Sequence, residues 1–383
     1  MKTNDYWFTI EPYVYVGFGV HHVLLYNTLD SSIIESTNEQ IIALLKRSLL
    51  IDQCGVCLLK EEEYADPYVF NFINNLKEKY MGDIIDVSLS DKKPIQNTPY
   101  FNFIDKDLNT YKRNSFNLEG DVDGSLCKID IYVGKETDIY GLIAFLSMMK
   151  EGVCVDIIGN MNSVNNVSDF VRFLQTKSEN ICNVIDYRSL KEIIRNDISY
   201  KIEINFPLNV DAFDNIVKIC KKQSVSIEYV FDITSEYEYS CLLDIVNKYD
   251  IENKYIIRPK YTGSNQRFFE DYVYLDKEDI LKNPLTIRDI FIRQSINVFN
   301  YGKISILPNG DVYSNVNYPA LGNMYKHTID DIIRKEIKDG HSWFRVRSEA
   351  PCINCAYQWL CPSPSDYEIS IGKPNLCHVN KIK

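Results

Sequence analysis

Lys128-Ile-Asp-Ile-Tyr-Val133 is the first of six strand-like runs that decide the fold of this 383-residue chain. The six runs span residues 128–133, 153–159, 183–186, 200–206, 226–232 and 255–260. Amphipathic helical patterns fall between most of them. Strands that alternate with helices pair in parallel, because each helix returns the chain to the same end of the sheet. Residues 96–300 are therefore expected to form an α/β unit with a parallel sheet or a partial (β/α) barrel.

The residues before this unit predict a small antiparallel sheet. Apolar and aromatic residues fill 13–20 and 23–28, and a polar turn at 29–32 separates them from Ile33 and Ile34. Three short strands joined by turns are therefore expected at the start of a first domain, residues 1–95.

Two helices are expected to follow these strands. Ser36 and Glu39 stand at capping-box spacing before an apolar run of helical period. Asp66 can cap a second helix and Pro67 suits its first turn. The first domain is thus a small sheet covered by helices.

A hairpin is predicted where the alternation of strands and helices stops. Pro308-Asn309-Gly310 separates the apolar runs 304–307 and 311–313, and Asn-Gly favours a tight turn between antiparallel strands. A short helix around 328–337 precedes a proline-rich and cysteine-rich end. Residues 301–383 are expected to form a third domain, which needs a covalent or metal link because it has few apolar residues.

Composition limits the class of protein. A net charge of −11 would repel a phosphate backbone, so nucleic acid is not an expected partner. No run of eighteen apolar residues and no export signal are found, so no membrane partner is expected. Eleven cysteines without an export signal indicate reduced thiols in the cytoplasm rather than disulfides.

No familiar catalytic motif is found. The five histidines form no recognisable triad or metal-binding pair. Val16-Gly17-Phe18-Gly19 lacks the strand–helix context of a dinucleotide-binding loop, and we interpret it as a bend in a strand.

Four cysteines near the end predict a metal centre. Cys352-x2-Cys355-x5-Cys361-x15-Cys377 places four thiols in a segment with few apolar neighbours. Four thiolates suit either a zinc ion or a 4Fe–4S cluster, and the sequence leaves both open. Cys361-Pro362 is similar to ferredoxin-type runs and favours the cluster.

The other seven cysteines are interpreted as small core residues. Cys54-x2-Cys57 has no second pair to complete a metal site and resembles a buried strand. The remaining five stand at strand beginnings or at helical spacing, namely Cys127, Cys154, Cys182, Cys220 and Cys241.

The order of these parts resembles radical S-adenosylmethionine peptide maturases that carry a SPASM domain. The resemblance rests on Gly310-Asp-Val-Tyr313, Leu321-Gly-Asn323 and the four C-terminal cysteines. It implies that the third domain is SPASM-like and that one auxiliary 4Fe–4S cluster is held by Cys352, Cys355, Cys361 and Cys377.

The chain departs from that family at the residues for catalysis. The family binds its reactive cluster through C-x3-C-x2-C after the first barrel strand, whereas this chain has Val133-Gly-Lys-Glu-Thr-Asp138. The glycine-rich segment that receives the cosubstrate is reduced to Gly159-Asn160. Ligands for a further auxiliary cluster are replaced by Ser314 or Asn315 and by Ser365. The chain thus resembles the pseudo-radical-SAM proteins of Bacteroidales-type peptide systems, with a degenerate partial barrel and no functional S-adenosylmethionine site.

The first domain resembles the winged-helix element that captures leader peptides in these systems. The resemblance implies that a leader adds as a strand beside Ile33 and Ile34 and lies against a helix that carries Phe72 and Ile73. The alternative is that Phe72 and Ile73 fill the domain's own core.

Three functions remain open from the sequence. The first is a non-catalytic partner or scaffold in ribosomal peptide modification, which binds a precursor leader peptide, a radical SAM maturase or both. The second is an enzyme of another kind, which either uses its single cluster as an electron-transfer partner or uses an unrecognised pocket in the barrel. The third is a zinc-stabilised structural protein.

Overall fold

A computed structural model describes residues 4–90, 92–106, 123–191, 195–221, 225–251 and 254–379. Part of the polar segment between the first two predicted domains lies outside these residues. The described chain contains three β-sheets, two of three strands and one of nine.

The N-terminal part holds six strands and three helices. The strands are β1 (Tyr6–Ile10), β2 (Val14–Phe18), β3 (Val23–Asn27), β4 (Ile33–Ser36), β5 (Val56–Leu59) and β6 (Gly82–Asp86). The helices are α1 (Glu39–Ser48), α2 (Glu61–Tyr64) and α3 (Pro67–Glu78).

Strands β2, β3 and β4 form the predicted antiparallel sheet. A second antiparallel sheet, in the order β5-β1-β6, was not predicted. Its central strand pairs with segments far along the chain, Tyr6 with Leu59 and with Asp86. No turn links these partners, so local sequence signals do not predict their pairing.

The helix caps confirm one expectation and correct another. Asp66 caps α3 as predicted, by accepting hydrogen bonds from the amides of Tyr68 and Val69. Ser36 does not cap α1, because it is the last residue of β4. Asn38 takes that role, with its side chain accepting from two amides of the first turn.

The six strand-like runs are confirmed as strands of one sheet. They are β7 (Lys128–Tyr132), β8 (Cys154–Ile158), β9 (Ile181–Asp186), β10 (Ser199–Asn205), β11 (Ile227–Ile233) and β12 (Tyr255–Pro259). The helices in and after this series are α4 (Ile139–Leu146), α5 (Val167–Gln175), α6 (Val210–Lys221), α7 (Glu236–Tyr249), α8 (Gln266–Tyr272), α9 (Lys277–Leu281) and α10 (Ile287–Ser295). Neighbouring strands pair in parallel in their chain order.

The same sheet continues beyond residue 300. Its last strands are β13 (Lys303–Ile306), β14 (Asp311–Tyr313) and β15 (Gly322–Asn323), and they are followed by α11 (Ile329–Asp339) and α12 (Asp366–Ile371). β13 pairs in parallel with β7, and β13 and β14 form the predicted hairpin. Hydrogen bonds of the sheet thus cross the expected boundary at residue 300, while the three-domain division itself stays a prediction.

The two faces of the large sheet differ. On one face, apolar side chains such as Ile131, Ile157 and Phe231 are buried in two hydrophobic cores, to which helices α4 to α7 and α11 contribute. Strand alternation places charged residues on the other face, including Asp156 and Arg258.

Charged side chains from separate strands influence one another on the charged face of the large sheet. Burial raises the pKa of Tyr132 on β7, the charges of Asp130 and Glu203 raise it further, and Arg258 on β12 lowers it. Arg258 Nη2 on β12 also donates to Glu203 Oε1 on β10 at 2.7 Å, so side chains two strands apart meet on this face.

Within the part of the chain that the structure covers, no helix is both long enough and apolar enough to cross a membrane.

Candidate functional site

The four C-terminal cysteines lie in irregular segments around one buried core. Cys352 begins a short 3-10 turn, and Cys361 ends a tight turn in which its amide donates to the carbonyl of Tyr357. Cys377 forms an isolated bridge with Leu275. Cys352 and Cys361 are each 8% exposed, whereas Cys355 and Cys377 are half-buried.

Electrostatic effects show that the four thiols share one neighbourhood. Burial raises the pKa of the Cys361 thiol to about 12, Arg347 opposes this rise, and the negative charges of Cys377, Cys352 and Cys355 add to it. The pKa of Cys352 is also raised by burial, with Arg347 opposing and Cys377 adding. The sequence-predicted ligands are therefore neighbours.

The thiols do not form a closed ligand set in this structure. Among the residues that the structure describes, no group of three or more His, Cys, Asp or Glu side chains is arranged to hold a metal ion. The donor chemistry fits a zinc ion or a 4Fe–4S cluster, since both take four thiolates.

Positive charge surrounds the thiols. Arg347 Nη1 lies 3.7 Å from Cys352 Sγ, and its Nη2 donates to Glu368 Oε1 at 3.0 Å. Arg345 Nη2 donates to the other oxygen of Glu368, also at 3.0 Å. Arg293 donates to the carbonyl of Leu360, and its pKa is lowered by burial while the charge of Cys361 opposes this.

The excess positive charge around the thiols would stabilise a negatively charged metal–thiolate centre. The side chains of Arg347 and Glu368 are only 6% and 2% exposed, so two guanidinium groups share one buried carboxylate. Buried charge requires compensation. Four thiolates around a zinc ion or a 4Fe–4S cluster leave a net negative charge, which would balance the excess.

These basic and acidic residues were not identified from the sequence. Arg345 and Arg347 precede the first ligand by a few residues, which is the one signal that could have drawn attention to them. Glu368 belongs to α12 and approaches the thiols only through the tertiary fold.

The segment between Cys355 and Cys361 packs under the sheet of β2, β3 and β4. It shares a hydrophobic core with Tyr15, Leu24 and Tyr26 of that sheet. Members of this core from the C-terminal segment are Ala356, Tyr357, Trp359, Leu360 and Cys361. The candidate metal centre and the N-terminal sheet therefore form one packed unit.

Polar contacts join the same two segments. Tyr15 Oη donates to the carbonyl of Ala356 at 3.3 Å. The Glu35 carboxylate on β4 accepts from Tyr357 Oη and, at 2.6 Å, from Lys277 Nζ. These contacts connect β4 to the cysteine-containing segment.

The structure places the predicted peptide-binding residues mostly in a core. Ile34, Phe72 and Ile73 are 4%, 5% and 0% exposed and pack together in the N-terminal domain. Ile33 is half-buried and packs on the opposite side, against the core under the sheet. Lys79 Nζ donates to the outward carbonyl of Ile33 at 2.6 Å.

The positions that depart from the maturase pattern make local hydrogen bonds. After β7, Thr137 Oγ1 accepts from the amide of Gly134, and Asp138 caps α4. Ser314 Oγ donates to Glu336 Oε2 at 2.7 Å, and Asn315 Nδ2 donates to Asp366 Oδ1 at 2.7 Å.

Gly159 and Ser365 also have local partners. The Gly159 carbonyl accepts from Asn183 Nδ2 at 3.0 Å. Ser365 is the N-cap residue of α12, and its carbonyl accepts from Arg345 Nη2 at 3.1 Å.

All eleven cysteines are free thiols. Cys57, Cys182 and Cys220 are buried, as expected for core residues. The core interpretation is wrong for Cys54 and Cys127, which are exposed because they lie in the connecting segments before β5 and β7. Cys154 and Cys241 are intermediate.

No protein-family model matches the chain, and no curated protein matches it. Among solved structures, the crystal structure of Streptococcus suis SuiB bound to S-adenosylmethionine aligns with a TM-score of 0.38 and 12% identity. The alignment covers 97% of this chain and 99% of that one. We draw no conclusion from a similarity of this size.

Proposed function

We propose that this chain is a non-catalytic scaffold in ribosomal peptide modification, which binds a precursor leader peptide, an active radical SAM maturase or both. One metal–thiolate centre at Cys352, Cys355, Cys361 and Cys377 holds its C-terminal segment in place. The observation that carries this proposal is the shared core between the segment 356–360 and the sheet of β2, β3 and β4.

A structural role for the centre follows from that core. Cys355 and Cys361 flank the residues that support the N-terminal sheet, and Cys361 itself is part of the core. A metal bound to both cysteines would fix both ends of the supporting segment. Removal of the metal would then loosen the domain proposed to bind a peptide.

The charge around the thiols supports a bound metal. Arg345 and Arg347 share Glu368, which leaves excess positive charge beside Cys352. We favour a 4Fe–4S cluster because of the Cys361-Pro362 pair, with zinc as the alternative. When bound, such a cluster could also pass electrons to a partner, and this is the alternative function to be tested.

The non-catalytic assignment rests on the residues after β7. In the maturases that this sequence resembles, three cysteines at this point bind the reactive cluster. Here Asp138 caps α4 and Thr137 accepts from Gly134, so the segment stabilises a helix start. The sheet with six parallel strands in chain order supports a degenerate partial barrel as its setting.

The outer edge of β4 is the proposed docking site for a peptide. β4 is an edge strand, and the carbonyl of Ile33 points away from β3. A peptide that adds as a strand would displace Lys79 from that carbonyl. The opposite edge of the sheet is covered, because Asn102 bonds the amide of Val16 and the carbonyl of Val14.

The first experiment measures iron, acid-labile sulfide and zinc in protein purified without oxygen. About four irons per chain with matching sulfide are expected, and Cys352→Ala and Cys361→Ala should both lose them. Cys241→Ala, on α7, is the matched control and should retain the metal. One zinc per chain would keep the scaffold function and exclude electron transfer through these thiols, whereas a metal-free protein would refute the centre.

The second experiment tests the scaffold itself. The purified chain should not cleave S-adenosylmethionine, and it should bind a precursor leader or a maturase in a fluorescence anisotropy assay. Lys79→Met should strengthen leader binding, because it frees the carbonyl of Ile33. Cleavage by the isolated chain, or absence of both interactions, would refute the proposal.

A further inference from the structure

The side chain of Glu35 connects strand β4 to the cysteine-containing segment by hydrogen bonds. The carbonyl of Ile33 faces away from β3, since it accepts from Lys79. Directions alternate along a strand, so the backbone groups of Glu35 also face outward. The Glu35 side chain, which is 29% exposed, reaches the cysteine-containing segment instead, where it accepts from Tyr357 Oη and Lys277 Nζ.

Tyr357 lies two residues after Cys355 and four before Cys361. Its side chain is buried, and its ring belongs to the core under the sheet. Lys277 Nζ also lies 5.8 Å from the centre of that ring. The position of Tyr357 is therefore set by this core, and two of the proposed metal ligands flank it in the sequence.

Two further contacts join strands β3 and β2 to the same core and to the cysteine-containing segment. Tyr26 Oη on β3 accepts from the amide of Leu285 at 2.8 Å, in the same core. Gly17 on β2 has no side chain, and an added Cβ would lie 1.9 Å from the carbonyl oxygen of Ala356. All three strands of the sheet thus contact this core directly.

We infer that Tyr357 is a positioning residue for β4, and that it couples the order of this strand to metal occupancy of the four-cysteine centre. The inference rests on the proposed function, since it names the regulation of the proposed peptide edge. Metal bound at Cys355 and Cys361 holds Tyr357 against Glu35, and this contact holds β4 on β3. Loss of the metal releases Tyr357 and loosens the edge.

Hydrogen exchange followed by mass spectrometry tests the coupling without a peptide. The amides of Ile34 and Ser36 point toward β3, so their exchange reports local opening of β4. Metal removal is expected to speed their exchange about tenfold while β10 exchanges as before. Tyr357→Phe should speed it about threefold while the metal content stays unchanged, because only the hydroxyl that reaches Glu35 is lost.

Tyr367→Phe is the matched control. Tyr367 also lies in the C-terminal segment, but its hydroxyl donates to the carbonyl of Pro259 at the end of β12. This variant should leave exchange in β4 unaltered. If Tyr357→Phe and metal removal both leave β4 unchanged, or if Tyr367→Phe has the same effect as Tyr357→Phe, the coupling is refuted.

The exchange result and the binding result separate the two proposals. Faster exchange in β4 without any leader binding would support the coupling and refute the peptide function. Leader binding of equal affinity in metal-loaded and metal-free protein, with unchanged exchange, would refute the coupling and leave the scaffold function intact.

Discussion

The backbone at Gly17 touches the backbone at Ala356. A Cβ on Gly17 would lie 1.9 Å from the carbonyl oxygen of Ala356 and 2.8 Å from its carbonyl carbon. Both atoms belong to the main chain and cannot rotate away. The N-terminal sheet and the cysteine-containing segment therefore meet at a point where only glycine fits.

Gly17→Ala is expected to destabilise the protein by about 2 kcal/mol, because overpacking forces the two segments apart. Urea denaturation measures this loss. Gly134→Ala is the control, since nothing lies within 4 Å of its added Cβ, and it should change stability by less than about 0.5 kcal/mol. Equal stability of the two variants would show that the segments separate without cost.

Asn102→Ala is expected to cost about 2 kcal/mol, because it leaves two buried backbone groups without partners. Asn102 Oδ1 accepts from the amide of Val16 at 2.8 Å, and Nδ2 donates to the carbonyl of Val14 at 2.6 Å. Denaturant unfolding of this variant can be compared with Asn97→Ala, an exposed position in the same connecting segment. A loss no larger than that of Asn97→Ala would contradict the role of Asn102 in closing this edge.

Local patterns predicted the parts of the fold that local forces determine. The six parallel strands have apolar β-branched runs, and the hairpin around Asn309 and Gly310 has its own turn signal. The sheet β5-β1-β6 lacks such signals, because Tyr6 pairs with residues more than fifty positions away. Its pairing depends on the whole N-terminal core.

The site was predicted to the same limited extent. Spacing identified the four cysteines, which the fold brings into one neighbourhood. It did not identify Glu368, since nothing in the sequence shows that α12 carries a buried carboxylate toward the thiols. Gly17 was interpreted as part of a strand, and it does lie in β2, but nothing in the sequence indicated its contact with Ala356.

Arg258→Met, on the charged face of the large sheet, is expected to destabilise the protein by about 2 kcal/mol. Its guanidinium donates to Asp232 at 2.6 Å and to Glu203 at 2.7 Å, and Asp232 is only 6% exposed. Removal of Arg258 leaves Asp232 with Lys260 alone, at 3.4 Å.

Lys260→Gln is the matched variant, because Asp232 then keeps Arg258. Its cost should not exceed about 0.5 kcal/mol, as for an exposed ion pair. Urea midpoints measured for both variants would settle the comparison, and a larger effect of Lys260→Gln would contradict the ranking.

Asp197→Asn is expected to lower stability at neutral pH and to have a smaller effect at pH 3. Two hydrogen bonds from Arg195 hold the pKa of Asp197 well below its ordinary value of 3.8. A lowered pKa contributes stability that is full above the unfolded pKa of about 3.8 and is lost only as the pH falls from there through the lower folded-state pKa, so at pH 3 the loss is partial.

The measurement is the urea midpoint of Asp197→Asn and wild type at pH 7 and at pH 3. The difference between them should shrink at pH 3, while Arg195→Gln/Asp197→Asn should show no additional loss at pH 7. A difference that stays constant with pH would assign the effect to packing rather than charge.

Arg347→Gln is expected to weaken metal retention about tenfold, which corresponds to about 1.4 kcal/mol. The guanidinium lies beside Cys352, and no positive charge would remain at that position to offset the bound thiolates. Arg347→Lys should retain part of the affinity for the metal, because it keeps the positive charge. It should not retain all of it, because lysine cannot make both contacts of Arg347, with Glu368 and with the carbonyl of Pro362.

Metal content is measured after gel filtration against a chelator, with the exposed Arg188→Gln as control, and this comparison distinguishes the effect of charge from general instability. If Arg347→Gln and Arg188→Gln retain the same metal, positive charge at this position does not stabilise the centre, and the excess charge must be balanced by other groups.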